Sequence, residues 1–339
     1  MASICDTTPE ECAAAGNAVI TCPGQGAQKS GLLNEWLDLP GSLEFFQAQS
    51  DFLKIDLIKH GTISDTDILR DTRIAQPLIV ALGIFVIRTL QQKAKIIQSM
   101  PEEGLNGANP TERIMRCVGL AGHSVGEITA AFGAGVLTEK NAMRLVKHRA
   151  NQMYKSTQIF DTGMVAVLGQ SENLEEYITQ RYKLFPANYN CPGQIVFAGL
   201  RENLDVLLAN PPEKIKVIPL QVAGAFHTRF MRPAVQNLKK LKFVTDKSFA
   251  KDPDKRIWTN YDGSEIFSGS EYVQLLIDQI ARPVRWDLCQ KNFENIDYLI
   301  ELPPAGTLTG LARRSLPKVK GIPINTIDDL EEASCCFLL

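Results

Sequence analysis

The chain is poor in the residues that build metal centres and disulfide frameworks. Its eight cysteines are scattered without any Cys-x-x-Cys pair, and it has only four histidines. This spacing fits no structural zinc site, and in a chain of 339 residues without a secretory signal the cysteines read as reduced thiols. No apolar run is long enough to cross a bilayer; the longest, Leu78 to Ile87, reads as a buried helix. Residues Met1 to Gly16 carry Asp6, Glu10 and Glu11 and no basic cluster ahead of an apolar run, so a loose extension is expected rather than a signal peptide. The formal net charge is -2 and no long basic run occurs, which leaves no electrostatic footprint for nucleic acid. Internal repeats and low-complexity segments are also missing. The final Cys336-Phe337-Leu338-Leu339 has the outline of a prenylation box, but no polybasic segment precedes it and an untethered tail is expected. These absences point to a cytoplasmic protein with neither a membrane nor a nucleic-acid partner.

What is present is ordinary for a globular enzyme: 45% hydrophobic and 22% charged residues. The length exceeds what one core usually needs and suggests a large domain with an insertion, or two domains. Ala18 to Thr21 reads as a strand running into the loop Pro23-Gly24-Gln25-Gly26. Leu78 to Leu90 reads as a packed helix entered through Pro77, Met100 to Thr111 as a loop, and Ile114 to Ala121 as a buried strand cut short by Gly122. Glu127 to Gly133 starts a helix, and Thr138 caps another that runs to about Tyr154. From about Asp161 the texture changes. Met164–Leu168, Leu174–Tyr182, Asn188–Tyr189, Ile195–Phe197, Leu204–Ala209 and Ile215–Val222 read as strand, helix, strand, strand, helix, strand. That is the order of a ferredoxin-like unit, of a size suited to an inserted subdomain. The chain then returns to a larger α/β body that includes a strand at Tyr298–Leu302. The expected division is a flexible extension over 1–16, a large α/β part over 17–160 and 223–325, a small part over 161–222, and a tail over 326–339.

Gly122-His123-Ser124-Val125-Gly126 lies between a buried strand and a helix, which is the arrangement of a nucleophile elbow. Flanking glycines permit the cramped turn that lifts the serine Oγ clear of the sheet. The helix behind it offers free N–H groups to developing negative charge. A purely structural turn has the same pattern. A nucleophilic serine needs a base. His123 adjoins Ser124 and should point elsewhere, His148 sits mid-helix, and His60 lies in a polar loop. His227, in Gly224-Ala225-Phe226-His227-Thr228, follows a strand in a loop and is the best candidate by elimination. No acid stands out as its partner, so a complete Ser-His-Asp triad is not supported.

Taken together and in this order, Pro23-Gly24-Gln25-Gly26-Ala27-Gln28, Gly122-His123-Ser124-Val125-Gly126-Glu127 and Gly224–Thr228 resemble the malonyl-CoA:acyl carrier protein transacylases. The acyltransferase domains of polyketide and fatty acid synthases are relatives of that family. The likeness runs from about Val19 to Pro323, and Trp36-Leu37-Asp38-Leu39-Pro40-Gly41 is similar to actinobacterial members. It implies an α/β-hydrolase-like large subdomain with a parallel-sheet core and an inserted ferredoxin-like subdomain. It also implies roles. Ser124 would carry the acyl ester, with His227 as its base. The backbone carbonyl of Gln279, in Gln279-Ile280-Ala281-Arg282-Pro283-Val284, would orient the histidine in place of a triad acid. The backbone N–H groups of Gln25 and Val125 would form the oxyanion hole. Arg149 would clamp the malonyl carboxylate through two parallel hydrogen bonds, as a planar guanidinium can. Without the family, Arg149 reads first as a solvated helix cation and Gln25 can simply cap a turn, while Asn188 and Asn190 read equally as turn formers or substrate contacts. Gln76 matches a family position but can also simply shape a helix start, and it is left out of the catalytic set.

Val125 and Gly224-Ala225-Phe226-His227 look like the malonyl-selecting class, with Phe226 filling the space an α-methyl group would need. A difference of one methylene is worth only about 1–3 kcal/mol, so incomplete selectivity is expected. The resemblance implies malonyl-CoA and acyl carrier protein as partners, no metal or redox cofactor, and a monomer. Arg229, Arg232, Arg282 and Arg285 are candidates for a basic carrier-docking patch, or for intramolecular pairs. Two departures flank the site. Cys22 stands where the family usually has an apolar residue, and Cys191 stands where a serine is common. A free thiol at Cys22 would make the enzyme sensitive to oxidants. The rival readings are a polyketide-pathway acyltransferase, a serine esterase or thioesterase, and a non-catalytic carrier-binding subunit.

Overall fold

The computed structural model describes residues 16–98, 115–335 and 337–338. Of the extension expected over 1–16, residues 1–15 lie outside these residues, as do the loop Met100–Thr111 and Cys336 and Leu339 of the final tetrapeptide, whereas Gly16 opens the first strand. The strands are β1 (Gly16–Cys22), β2 (Met115–Gly122), β3 (Thr162–Leu168), β4 (Phe185–Cys191), β5 (Gln194–Leu200), β6 (Lys216–Pro219), β7 (Arg256–Trp258), β8 (Val284–Arg285), β9 (Tyr298–Glu301), β10 (Lys320–Pro323) and β11 (Phe337–Leu338).

Strand β1 is uncharged and buried from Ala18 to Cys22, as a central strand covered on both faces must be. It pairs in parallel with β2 on one side and β9 on the other, and β10 continues the sheet beyond β9. The far edge of β2 is shared: β11 pairs with Met115 and Arg116, and β7 with Gly119 to Ala121. Every pair in this sheet is parallel, so its loops sort by end. Cys22 lies opposite Gly122, and Trp258 opposite Ala121. The turns after β1, β2 and β7 therefore leave from the same edge, where ligands gather in parallel α/β sheets.

The second sheet has the order β6-β3-β5-β4, all antiparallel, with helices Leu174–Tyr182 and Arg201–Ala209 as its two crossovers. This is the ferredoxin-like order. Its apolar side chains, among them Val165, Phe197, Ile178 and Leu204, form their own core. One strand comes from outside the unit: β8 pairs in parallel with β4, Asn188 opposite Val284. The small sheet is thus stitched to the body beside Gln279–Ala281.

The helix read as starting at Pro77 begins at Thr72 and runs to Gln98. The Asp71 carboxylate accepts from Arg73 N at 2.8 Å, and its carbonyl accepts from Ile74 and Ala75 N. This side-chain start precedes the proline, which then costs one helical hydrogen bond inside the second turn. Residues 72–95 are long and apolar enough to cross a membrane, but most of that stretch is buried within the protein, as in a core helix. The earlier start carries Gln76 onto the buried side, at 2% exposure.

Candidate active site

Ser124 sits at φ 55°, between β2 and helix Gly126–Gly133. The two flanking glycines are obligatory here. A Cβ on Gly122 would overlap the backbone of Gly126 and Glu127, and one on Gly126 would overlap the Cys22 carbonyl. The helix is thereby folded tightly back on the strand. His227 is also held at positive φ, 61°. Left-handed backbone in a non-glycine residue costs of order 1–3 kcal/mol and persists only where the surroundings enforce it. The enforcement for His227 is visible. Its N–H donates to the Ile280 carbonyl at 3.0 Å, the neighbouring Ala225 N–H donates to Thr162 Oγ1 at 3.0 Å, and the Thr228 hydroxyl donates to the Ala225 carbonyl at 2.7 Å.

The two strained residues meet. Ser124 Oγ lies 2.7 Å from His227 Nε2, and His227 Nδ1 lies 2.9 Å from the Gln279 backbone carbonyl. A carbonyl can only accept, so Nδ1 carries the proton and Nε2 is left to accept from the serine hydroxyl. The other histidines are elsewhere: His60 contacts Ser64, His148 packs on Phe243, and His123 Nε2 lies 3.0 Å from Asn190 Oδ1.

Arg149 lies in helix Glu139–Thr157, which Thr138 caps through Asn141 N. Its position falls on the buried stripe with Ala142, Leu145, Val146 and Met153, and it is fully buried. The solvated-cation alternative does not hold. The guanidinium donates to Gln76 Oε1 at 2.7 Å, Gln279 Oε1 at 3.0 Å and Ser124 Oγ at 3.3 Å, and its Nε has no partner. Among the described residues it enters no ion pair. Burial brings it down to about 10, against the pull of Glu127, so it remains a cation at neutrality. A buried cation with only neutral partners beside a serine hydroxyl is suited to an incoming anion.

The loop after β1 lies against the elbow: a Cβ on Gly24 would come within 3.6 Å of Ser124 Cβ. Gln25 fastens this loop through Nε2 to the Arg70 carbonyl at 3.1 Å, and Gln28 does so through Nε2 to Leu69 at 2.9 Å. Among the described residues the backbone N–H groups of Gln25 and Val125 have no acceptor. Two residues expected as substrate contacts sit one step away. Asn188 and Asn190, on β4, meet the ring of His123 rather than Ser124. Phe226 is buried in the main core next to His227.

Two further residues carry the geometry without having been singled out. Asn260, just past β7, accepts from Ser124 N at 2.8 Å and donates to the Gly122 carbonyl at 2.8 Å. Glu127, fully buried, accepts from Asn260 N at 2.6 Å and from Gln279 Nε2 at 2.5 Å. Gln76 belongs with them through Arg149. Cys22 is also fully buried and burial pushes its thiol far up, which overturns its reading as an oxidant-sensitive group. Of the four arginines considered for docking, Arg285 pairs with Asp287 at 2.8 Å and Arg229 lies over Phe185. Arg232 and Arg282 line an open cavity of about 420 Å³ with Asp278.

The titrations of His227 and Glu127 are displaced in opposite senses. Burial, then the Arg149 charge, lowers His227 from 6.5 to about 3, while burial raises Glu127 from 4.5 to about 8. Between 6.5 and 3 the unfolded chain binds the histidine proton that the folded chain refuses, so this group costs stability on acidification. Between 4.5 and 8 the folded chain holds the glutamate proton that the unfolded chain has lost, so this group costs stability as pH rises. The two slopes offset each other between 4.5 and 6.5, and each stands alone outside that window. Urea unfolding across this range should give this pair's contribution as a plateau with falling shoulders; Glu127→Gln should abolish the alkaline fall and turn the plateau into a rise up to 6.5, where His227 acts alone. An alkaline shoulder unchanged in that variant would refute the assignment.

Comparison with known proteins agrees with this geometry. The acyl transferase domain family matches residues 115–275. The malonyl CoA-acyl carrier protein transacylase of Mycobacterium tuberculosis is 36% identical over 315 residues, covering 92% of this chain and 98% of the relative. The Bacillus subtilis protein of that name is 28% identical over 321 residues, covering 92% and 94%. The M. tuberculosis MCAT crystal structure superposes with a TM-score of 0.83 at 36% identity, covering 94% of this chain and 99% of that one. A malonyl-transacylase solved in complex with its type II PKS acyl-carrier protein superposes with a TM-score of 0.77 at 25% identity, covering 94% and 99%.

Proposed function

The chain belongs to the malonyl-CoA:acyl carrier protein transacylase family, and from that premise we propose that it moves malonyl from CoA to the phosphopantetheine thiol of acyl carrier protein, supplying fatty acid synthesis. The observation that carries this reading is the buried Arg149 guanidinium, held by neutral partners 3.3 Å from Ser124 Oγ. A malonyl ester on that oxygen would place its free carboxylate within reach of that guanidinium. A monocarboxylic acyl group would leave that cation unpaired, which is costly in a buried site.

The cycle follows from the proton arrangement. His227 Nε2 takes the Ser124 proton as Oγ attacks the thioester carbonyl. The tetrahedral oxyanion is received by the Gln25 and Val125 N–H groups. Collapse breaks the C–S bond, and the imidazolium returns the proton to the departing CoA sulfur. In the second half the carrier thiol gives its proton to Nε2 and attacks the ester carbonyl, and Ser124 leaves with that proton. The scheme calls on no metal or redox cofactor. Residues 17–160 and 223–325 are assigned to the catalytic part and 161–222 to the small part. A cytoplasmic monomer is assigned, with Arg232 and Arg282 facing the acidic carrier.

Incubation with labelled malonyl-CoA followed by holo acyl carrier protein tests the reading. Label on the carrier supports it. Free malonate alone indicates an esterase or thioesterase, and no protein-bound ester leaves a non-catalytic binder. The neighbour solved with a type II PKS carrier supports a polyketide carrier as the second reading. Transfer rates to fatty-acid and polyketide carriers separate the two.

A further inference from the structure

The scheme above gives the buried carboxyl of Glu127 nothing to do, yet the site is tied to it. Gln279 presents two chemically distinct ends. Its Nε2 faces three acceptors: Glu127 Oε2 at 2.5 Å, the Ser124 carbonyl at 3.1 Å and Asn260 Oδ1 at 3.1 Å. Its Oε1 faces a donor, Arg149 Nη2, at 3.0 Å. Asn260 is locked in the same way, Oδ1 to Ser124 N and Nδ2 to the Gly122 carbonyl. Its own backbone N–H claims the second Glu127 oxygen at 2.6 Å. Of the acceptors on Gln279 Nε2, Glu127 Oε2 is the nearest, and both oxygens of its carboxyl group face N–H donors, this one Gln279 Nε2 and the other Asn260 N.

We propose that Glu127 is a positioning residue for acyl-group selection: its carboxyl group fixes the Gln279 amide so that Oε1 holds the Arg149 guanidinium at the acyl ester. This rests on the malonyl-transfer reading above. Glutamine at position 127 has the same shape but one acceptor. The backbone N–H of Asn260 cannot move and takes that acceptor, so the new NH₂ faces Gln279. Gln279 then meets donor with donor: it either shifts away from position 127 or turns its oxygen inward against the Ser124 carbonyl and Asn260 Oδ1, and each displaces Oε1 from Arg149. The guanidinium keeps Gln76 but loses the Gln279 acceptor that aims it. A neutral acyl group, which does not use the guanidinium, is affected far less.

The experiment measures transfer from malonyl-CoA and from acetyl-CoA to holo acyl carrier protein by the full-length wild type and Glu127→Gln, with folding checked by circular dichroism. The expected result is a loss of about 30-fold in kcat/KM for malonyl and of no more than about threefold for acetyl. Proportional loss for both acyl groups, or no loss for either, overturns the proposal. Should Glu127→Gln not fold, Gln279→Met breaks the same link while keeping the backbone carbonyl under His227. The same change in the malonyl-to-acetyl ratio supports the proposal, and a constant ratio overturns it. A wild type that transfers no malonyl would instead remove the transacylase reading itself, so the two failures are distinguishable.

Discussion

Ser124→Ala should leave the chain folded, able to bind malonyl-CoA, and slower in malonyl transfer by at least about 10⁴-fold. The substitution removes only Oγ. The backbone at φ 55° is as tolerable for alanine as for serine, since both bear a Cβ, and the tie from Ser124 N to Asn260 is a backbone contact. His227 remains oriented by the Gln279 carbonyl. What disappears is the atom that forms the ester, and His227 can then only present Nε2 to water. Intact-protein mass spectrometry after exposure to malonyl-CoA should show no adduct in the variant and one adduct in the wild type. Calorimetric affinity for malonyl-CoA should change by less than about threefold. An adduct on the variant would place the nucleophile elsewhere.

Arg149→Ala should lower kcat/KM for malonyl by about 10²–10³-fold while acetyl transfer is kept or improved. Truncating one partner of a buried, hydrogen-bonded charge pair costs about 2–5 kcal/mol, largely because the other charge is left in the interior without a counter-ion. In the variant that stranded charge is the substrate carboxylate. For acetyl the sign reverses, since the wild-type protein must leave an interior cation unanswered. Arg149→Lys should rescue little: an ammonium has no planar fork to meet Gln76, Gln279 and the carboxylate together. Parallel measurements with both CoA esters check this, and equal losses would sink the clamp.

Much of the architecture could be read from local pattern, because local pattern is what sets it. The helix Leu174–Tyr182 and the cap at Thr138 follow from periodicity and a single side chain. The β-α-β-β-α-β order needed only the alternation of the elements. The misreadings have tertiary causes. The helix at Thr72 starts early because of one carboxylate at Asp71, and β4 extends to Phe185 because a register shift after Pro186 accommodates a residue that cannot donate. The last strand of the small sheet ends at Pro219, short of the expected Val222. Within the site, Ser124 announced itself through glycines that the turn requires. Arg149 could have been noticed as a cation on an apolar stripe. Glu127 looks like an ordinary acidic residue in a first helical turn, and nothing local marks it as buried. Asn260 gives no signal at all, since its role consists of contacts to residues more than a hundred positions away.

The central position of β1 sets a schedule for the nascent chain. Asn17 N donates to Asp297 at a separation of 280 residues, and β1 cannot be flanked on both sides until β9 has been synthesised. Contacts this remote close late, after most of the loop entropy has been spent. The Gln25 loop, the elbow and the Gln279 carbonyl thus come into their final register only after β9 has been synthesised. A ribosome-held fragment that already contains Ser124, Arg149 and His227 would still have no assembled catalyst.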